Sequence, residues 1–142
     1  MADHRFTFMG TGAGCGVPSF FCDCPACEEA RANPALRRGD CGVMVRGERT
    51  LVIDTPPDAR HQLLREDVRA VDEVLFTHAH FDHIGGFGEY EYLVQLKRKA
   101  TLPVYGSEYA LSQIAAEFHY MAYAYDFRTL TPFETHEFDG VR

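Results

Sequence analysis

The sequence predicts an α/β fold in which helices cover a sheet of short strands, and three observations lead there. Short apolar runs rich in β-prone residues alternate with helical stretches in the order β, ββ, α, β, α, β, α. Glycine or proline punctuates most of the joins between them. The 142 residues, 46% hydrophobic and 25% charged, are enough for one domain with its own core.

Each element has its own signal. Residues 6–9, Phe-Thr-Phe-Met, form the first predicted strand and run into the glycine-rich loop 10–16. Residues 25–32 read as a short helix with Pro25 in its first turn. Residues 43–46 and 50–53 flank Gly47-Glu48 and predict an antiparallel hairpin. A helix follows over 58–65 behind Pro57, then a buried strand over 73–76. Helical spacing returns over 89–97, and residues 102–105 predict another strand. Ser107 is placed to cap a helix over 108–118 whose apolar face is Leu111, Ile114, Ala115 and Phe118. Residues 127–141 read as extended, and the Asp139-Gly140 turn before Val141-Arg142 predicts a chain that stops in mid-fold.

The formal net charge of −7 argues against nonspecific nucleic-acid binding, which needs a dense basic surface. A small anionic substrate stays compatible, because bound cations supply local positive charge. No apolar run reaches the roughly 18 residues of a membrane span, and the N-terminus lacks a secretory pattern, so neither membrane association nor export is expected. A cytoplasmic location is the expectation. Five cysteines, three of them crowded, read as metal ligands rather than a disulfide framework.

The strongest chemical signal is Thr77-His78-Ala79-His80-Phe81-Asp82-His83. In an extended segment, residues two apart project to one side, so His78 and His80 can grip one ion. A turn into helix near Asp82 aims Asp82 and His83 at a neighbouring position. Imidazole with carboxylate suits zinc, manganese or iron. Four potential ligands within six residues, at the end of an apolar strand, predict a metal site.

Cys22-Asp23-Cys24-Pro25-Ala26-Cys27 supplies three thiolates at a spacing that predicts a structural zinc. Its fourth ligand is open among Cys15, Cys41 and a histidine elsewhere. His4, His61, His119 and His136 receive no metal role; Arg37, Arg38 and Arg60 are candidates for contacting phosphate, with surface solvation the expected role of each.

The histidine run resembles the His-x-His-x-Asp-His motif of the metallo-β-lactamase superfamily, and Leu51-Val52-Ile53-Asp54-Thr55 resembles its first motif. The resemblance implies an αββα sandwich, of which this chain would be the N-terminal half, with two divalent ions, zinc or manganese, at one edge. His78 and His80 would bind the first ion and Asp82 and His83 the second. Asp54 would be the carboxylate that holds the histidine loop from behind. Gly10-Thr11-Gly12, Gly16-Val17-Pro18, the cysteine cluster and Arg37-Arg38 further resemble the PhnP-type phosphoribosyl cyclic phosphodiesterase branch, as does residues 57–62. In that branch a late histidine completes the cysteine zinc site, and further active-site ligands follow the region matched here.

What the resemblance implies is hydrolysis of a small, cyclic phosphodiester by a metal-bound hydroxide, with Asp82 both holding metal and orienting the attacking group. Rivals on the same core are a lactonase or thioesterase and a PqqB-like protein of cofactor biosynthesis. A tRNA-processing nuclease fits the acidic balance less well. The non-enzymatic rival is a catalytically incomplete metal-binding fragment. An open sheet edge with exposed apolar surface also predicts self-association, as a homodimer.

Overall fold

The computed structural model of the chain describes residues 3–138. Six strands form one sheet in chain order: β1 (Arg5–Gly10), β2 (Gly42–Arg46), β3 (Thr50–Ile53), β4 (Glu73–Leu75), β5 (Leu102–Gly106) and β6 (Tyr125–Thr129). The first three pair antiparallel, and β3 to β6 pair parallel. Parallel neighbours need crossovers. These are α2 (Ala59–Arg65), the α3 (Phe81–Ile84) and α4 (Glu89–Tyr92) pair, and α5 (Glu108–Glu117), while α1 (Pro25–Ala32) sits in the long β1–β2 connection.

Period-two alternation decides which residues enter the core. Met44, Val52, Val74 and Val104 stand opposite one another across four strands and are at most 2% exposed. Full burial of each such side chain contributes about 1.5–3 kcal/mol. Onto this row pack Ile84, Phe87, Tyr90 and Val94 from the α3–α4 crossover, Leu111, Ile114 and Phe118 from the α5 region, and Leu63 of α2. All the crossovers therefore lie on one face of the sheet. Phe8, Val43, Ile53, Leu75 and Tyr105 form the row facing the opposite way, where Phe6 and Phe8 stay more than half exposed. Residues 130–138 return across this second face, and the Phe138 ring meets Tyr105 edge-on at 4.8 Å.

Besides one-residue shifts at the ends of β1, β2, β4, β5 and α5, three elements differ from the sequence expectation. Strand β6 was expected only as the start of an extended tail, yet Tyr125–Thr129 pairs along its whole length with β5. The helix expected over 89–97 is α-helical only as far as Tyr92 and continues as a wider π-helical turn, Leu93–Arg98. It ends on Lys99 in left-handed conformation, whose N–H reaches back to the Val94 carbonyl. Asp58 stands outside α2 as its capping position rather than inside it. The expected turn at 139–142 lies outside the described residues. Among the described residues no helix is long and apolar enough to cross a membrane.

Candidate metal centre

The histidine loop leaves the C-terminal end of β4 in the middle of the parallel strands. Phe76 N–H bonds the Tyr105 carbonyl, which holds the loop's first residues in line with the sheet. The chain bends at Thr77, is extended at His80, which caps α3, and then turns helical, so that Asp82 falls in the first turn and His83 in the last. The three imidazoles gather. The His78 ring centroid lies 4.6 Å from that of His80 and 4.0 Å from that of His83. Asp82 Oδ2 is 3.4 Å from His83 Nε2.

Asp54, 4% exposed, lies directly behind this group. It follows β3 at φ +61°, a left-handed conformation that aspartate and asparagine enter more readily than other non-glycine residues. Its Oδ1 accepts the Thr77 N–H at 2.9 Å, and its Oδ2 accepts the Thr77 hydroxyl at 2.7 Å. The same Oδ2 meets His83 Nδ1 at 2.7 Å. Thr77 Oγ1 lies 3.0 Å from His78 Nδ1. Backbone bonds from Thr55 N–H to the His83 carbonyl and from Gly86 N–H to the Thr55 carbonyl clamp α3 to the β3 end.

The glycine-rich loop closes over the other side. A Cβ on Gly14 would come within 2.4 Å of Asp82 Oδ2 and 2.9 Å of its Cβ, so only glycine allows this approach. Beyond it opens a cleft of about 890 Å³, lined by the loop together with Arg37, Arg38, Asp40, Asp58, His61, Arg65 and Phe81. Arg65 is engaged by the Met9 carbonyl and Glu66, and Arg37 by the Ala30 carbonyl. Arg38 and His61 are exposed, and their side chains make no hydrogen bond or ion pair among the described residues. Arg60, away from the cleft lining, faces Glu89 at 3.9 Å. Burial, and then the nearby Asp58 and Asp82, push the Asp40 carboxyl above its ordinary range, against the Gly16 N–H and His83.

Thr77 stands in the histidine run with no role evident from its sequence, and neither the Asp40 environment nor the Gly14 contact has a sequence signature. Only the hydroxyl next to the first histidine was a readable signal; the other two relations join segments far apart in the chain.

The donor set fits divalent cations. With Nδ1 of His83 bonded to a carboxylate and Nδ1 of His78 to a hydroxyl, both rings turn Nε2 away from Asp54, that of His83 toward Asp82 Oδ2, which is how metal-ligating histidines are commonly oriented. Among the described residues, a mutual approach of three ligand atoms within 4.8 Å is found at the cysteine cluster rather than at this loop.

The sulfurs of Cys22, Cys24 and Cys27 do converge that closely. Cys24 caps α1, Pro25 opens it, and Cys27 is buried in it. The backbone N–H of Cys27, followed by the thiols of Cys22 and Cys27, lowers the Cys24 thiol below its usual range. Cys22 is raised instead: hydrogen bonding to the other two sulfurs and slight burial outweigh the largest single influence, the Cys24 N–H, which lowers it. The Ser19 N–H lies 3.4 Å from Cys27 Sγ. Neither Cys15 nor Cys41, both exposed, comes within 4.8 Å of all three sulfurs.

Comparison with known proteins gives a consistent family picture. The sequence model of the metallo-beta-lactamase superfamily matches residues 35–126. A solved diphosphatase from the PhnP family superposes with a TM-score of 0.80 and 32% identity, over 91% of this chain and 51% of that one. Coenzyme PQQ synthesis protein B of Methylobacterium radiotolerans is 30% identical over 125 residues, 79% of this chain and 40% of that protein. An octanoyltransferase of Porphyromonas gingivalis is 31% identical over 117 residues, 82% of this chain but 23% of that protein. The chain thus spans less than half the length of these curated relatives. Zn²⁺-bound PqqB from Methylobacterium extorquens shares the fold, with a TM-score of 0.76 at 24% identity.

Proposed function

This chain belongs to the metallo-beta-lactamase superfamily, and from that premise we propose that it serves a metal-dependent hydrolase acting on a small phosphodiester. The observation that carries hydrolysis at phosphorus is the 32% identity, over 91% of the chain, to a diphosphatase from the PhnP family, and the choice of a phosphodiester rests on the motif resemblance to the PhnP-type branch. The cysteine cluster beside the histidine loop supports the same branch.

His78 and His80 would hold one divalent ion, zinc or manganese, and Asp82 and His83 its neighbour. Such ions supply Lewis acidity toward phosphoryl oxygens and a nucleophile at neutral pH. The rest of the work falls to the chain. Asp54 and Thr77 keep the two Nε2 lone pairs facing forward. The Gly14 backbone confines the Asp82 carboxylate, so that it can hold metal and orient the attacking group together. Arg38 and His61 present free heads in the adjoining cleft, where they would bind non-reacting oxygens of an anionic substrate. That local arrangement reconciles an anionic substrate with a chain of net charge −7. Cys22, Cys24 and Cys27 would hold a structural zinc that fixes the start of α1.

The 30% identity to a coenzyme PQQ synthesis protein B supports a second reading, a PqqB-like role. Hydrolysis assays on a cyclic ribose phosphate, a nucleoside diphosphate and a lactone separate the alternatives. They are run with the chain and with the longest polypeptide its gene encodes, both loaded with zinc or manganese. Turnover of the cyclic phosphate, abolished by His80→Ala in folded protein, is the expected result. Turnover of the lactone alone overturns the phosphodiesterase reading, and no turnover of any substrate by the longer polypeptide favours the second one.

A further inference from the structure

Asp54 reaches only one of the two histidines it stands behind. His83 Nδ1 touches its Oδ2 directly at 2.7 Å, but the contact to His78 passes through Thr77 Oγ1. We propose that Thr77 is a positioning residue that fixes the tautomer of His78, relaying to it the hydrogen-bond polarity that His83 receives from Asp54 directly.

The direction of each bond follows from counting donors. A carboxylate has acceptors only. Both oxygens of Asp54 are engaged, Oδ1 by the Thr77 N–H and Oδ2 by the Thr77 hydroxyl and His83. The Thr77 hydroxyl proton is therefore committed to Oδ2, and only lone pairs remain on Oγ1 to face the His78 ring. His78 Nδ1 must then carry the proton and donate it across 3.0 Å. Its Nε2 is left as a lone pair, the same form that Asp54 imposes on His83. One buried carboxylate so sets two imidazoles, one of them through a hydroxyl. A serine would preserve the relay, and valine, which keeps the shape without the oxygen, would break it.

The His80 ring makes no hydrogen bond among the described residues and serves as an internal control. The consequence for ion binding rests on the proposed role of His78 and His83 as ligands, but the tautomer does not, and it can be read without metal or turnover.

The test is the long-range ¹⁵N–¹H spectrum of the histidine rings in metal-free protein, at a pH where imidazoles are neutral. Wild type and Thr77→Ser are expected to show His78 and His83 protonated at Nδ1. Thr77→Val is expected to move His78 toward protonation at Nε2 while His83 and His80 keep their signals. Titration calorimetry is expected to show divalent-ion affinity roughly 10-fold weaker or more in Thr77→Val and restored in Thr77→Ser. His78 protonated at Nε2 in the wild type overturns the proposal whether or not any variant folds. So does a folded Thr77→Val protein whose His78 signals match the wild type. An intact relay in a protein that hydrolyses no phosphodiester sinks the proposed activity and leaves this inference standing.

Discussion

Asp54 Oδ2 and His83 Nδ1 meet at 2.7 Å across 29 residues of chain, and this bond joins the end of one strand to the helix that follows the next. It commits a buried carboxylate to orienting an imidazole. Asp54→Asn keeps the left-handed backbone but replaces an acceptor with an amide that can donate. The variant is expected to fold normally by circular dichroism and to bind zinc or manganese about 10–100-fold more weakly by calorimetry. An unchanged affinity would falsify the orienting role of Asp54.

Gly14 offers a second handle on the same centre, from the opposite side. Gly14→Ala places a methyl against the Cβ, Cγ and Oδ2 of Asp82, and the carboxylate must move. Since Gly14 lies in a loop, global stability should change by less than about 1 kcal/mol. Ion binding should weaken at the position proposed for Asp82 and His83 more than at the one proposed for His78 and His80. A crystal structure of the variant with Asp82 unmoved would remove the basis for this expectation.

The crowding of carboxylates beside the centre predicts a pH effect. Asp40 titrates above its usual range because it is partly buried and lies near Asp58 and Asp82. A carboxyl raised on folding favours the folded state fully below its unfolded value, near 3.8, and loses that contribution as pH rises through its folded value. Asp40→Asn should therefore raise the Tm of metal-free protein at pH 7. The gain should shrink as pH falls toward 4. A melting series across that range checks the sign, and a gain that grows toward acid pH would contradict it.

Phe87 anchors the core that supports the loop. Its fully buried ring stacks on Tyr125 at 4.0 Å and meets Phe76 and Phe118 edge-on at 5.0 and 5.3 Å. Phe87→Ala is expected to cost about 3–5 kcal/mol in chemical denaturation. A loss under 1 kcal/mol would show that the aromatic cluster closes over the space.

Most of the sheet was legible in the sequence because its signals are local. The hairpin of β2 and β3 announces itself through two β-prone runs around Gly47-Glu48, and α5 through Ser107, whose hydroxyl accepts the Ala110 N–H. Strand β6 was not legible as a strand. Tyr125-Asp126-Phe127-Arg128-Thr129 offers only two alternating apolar residues, and its extended form comes from pairing with β5, more than twenty residues earlier. The π-helical turn after Tyr92 escaped for a related reason, since its apolar spacing reads as ordinary helix. At the centre, the ligand types and spacing of residues 78–83 were plain. The place of Asp54 came from family resemblance alone. The Gly14–Asp82 contact and the Asp40 environment depend on loops meeting in space, which no periodicity reports.

The pairing of strands in chain order has a consequence for how the molecule comes into being. Asp54, Thr77 and His83 all fall within one strand–helix–strand–helix unit, and β3 and β4 are direct neighbours in the sheet. Once β5 has paired and its Tyr105 carbonyl holds the Phe76 N–H, the bonds among Asp54, Thr77 and His83 need nothing that an ion supplies. The histidines would then hold their working orientation before any ion reaches them, and a nascent chain would meet its metal with the grip already set.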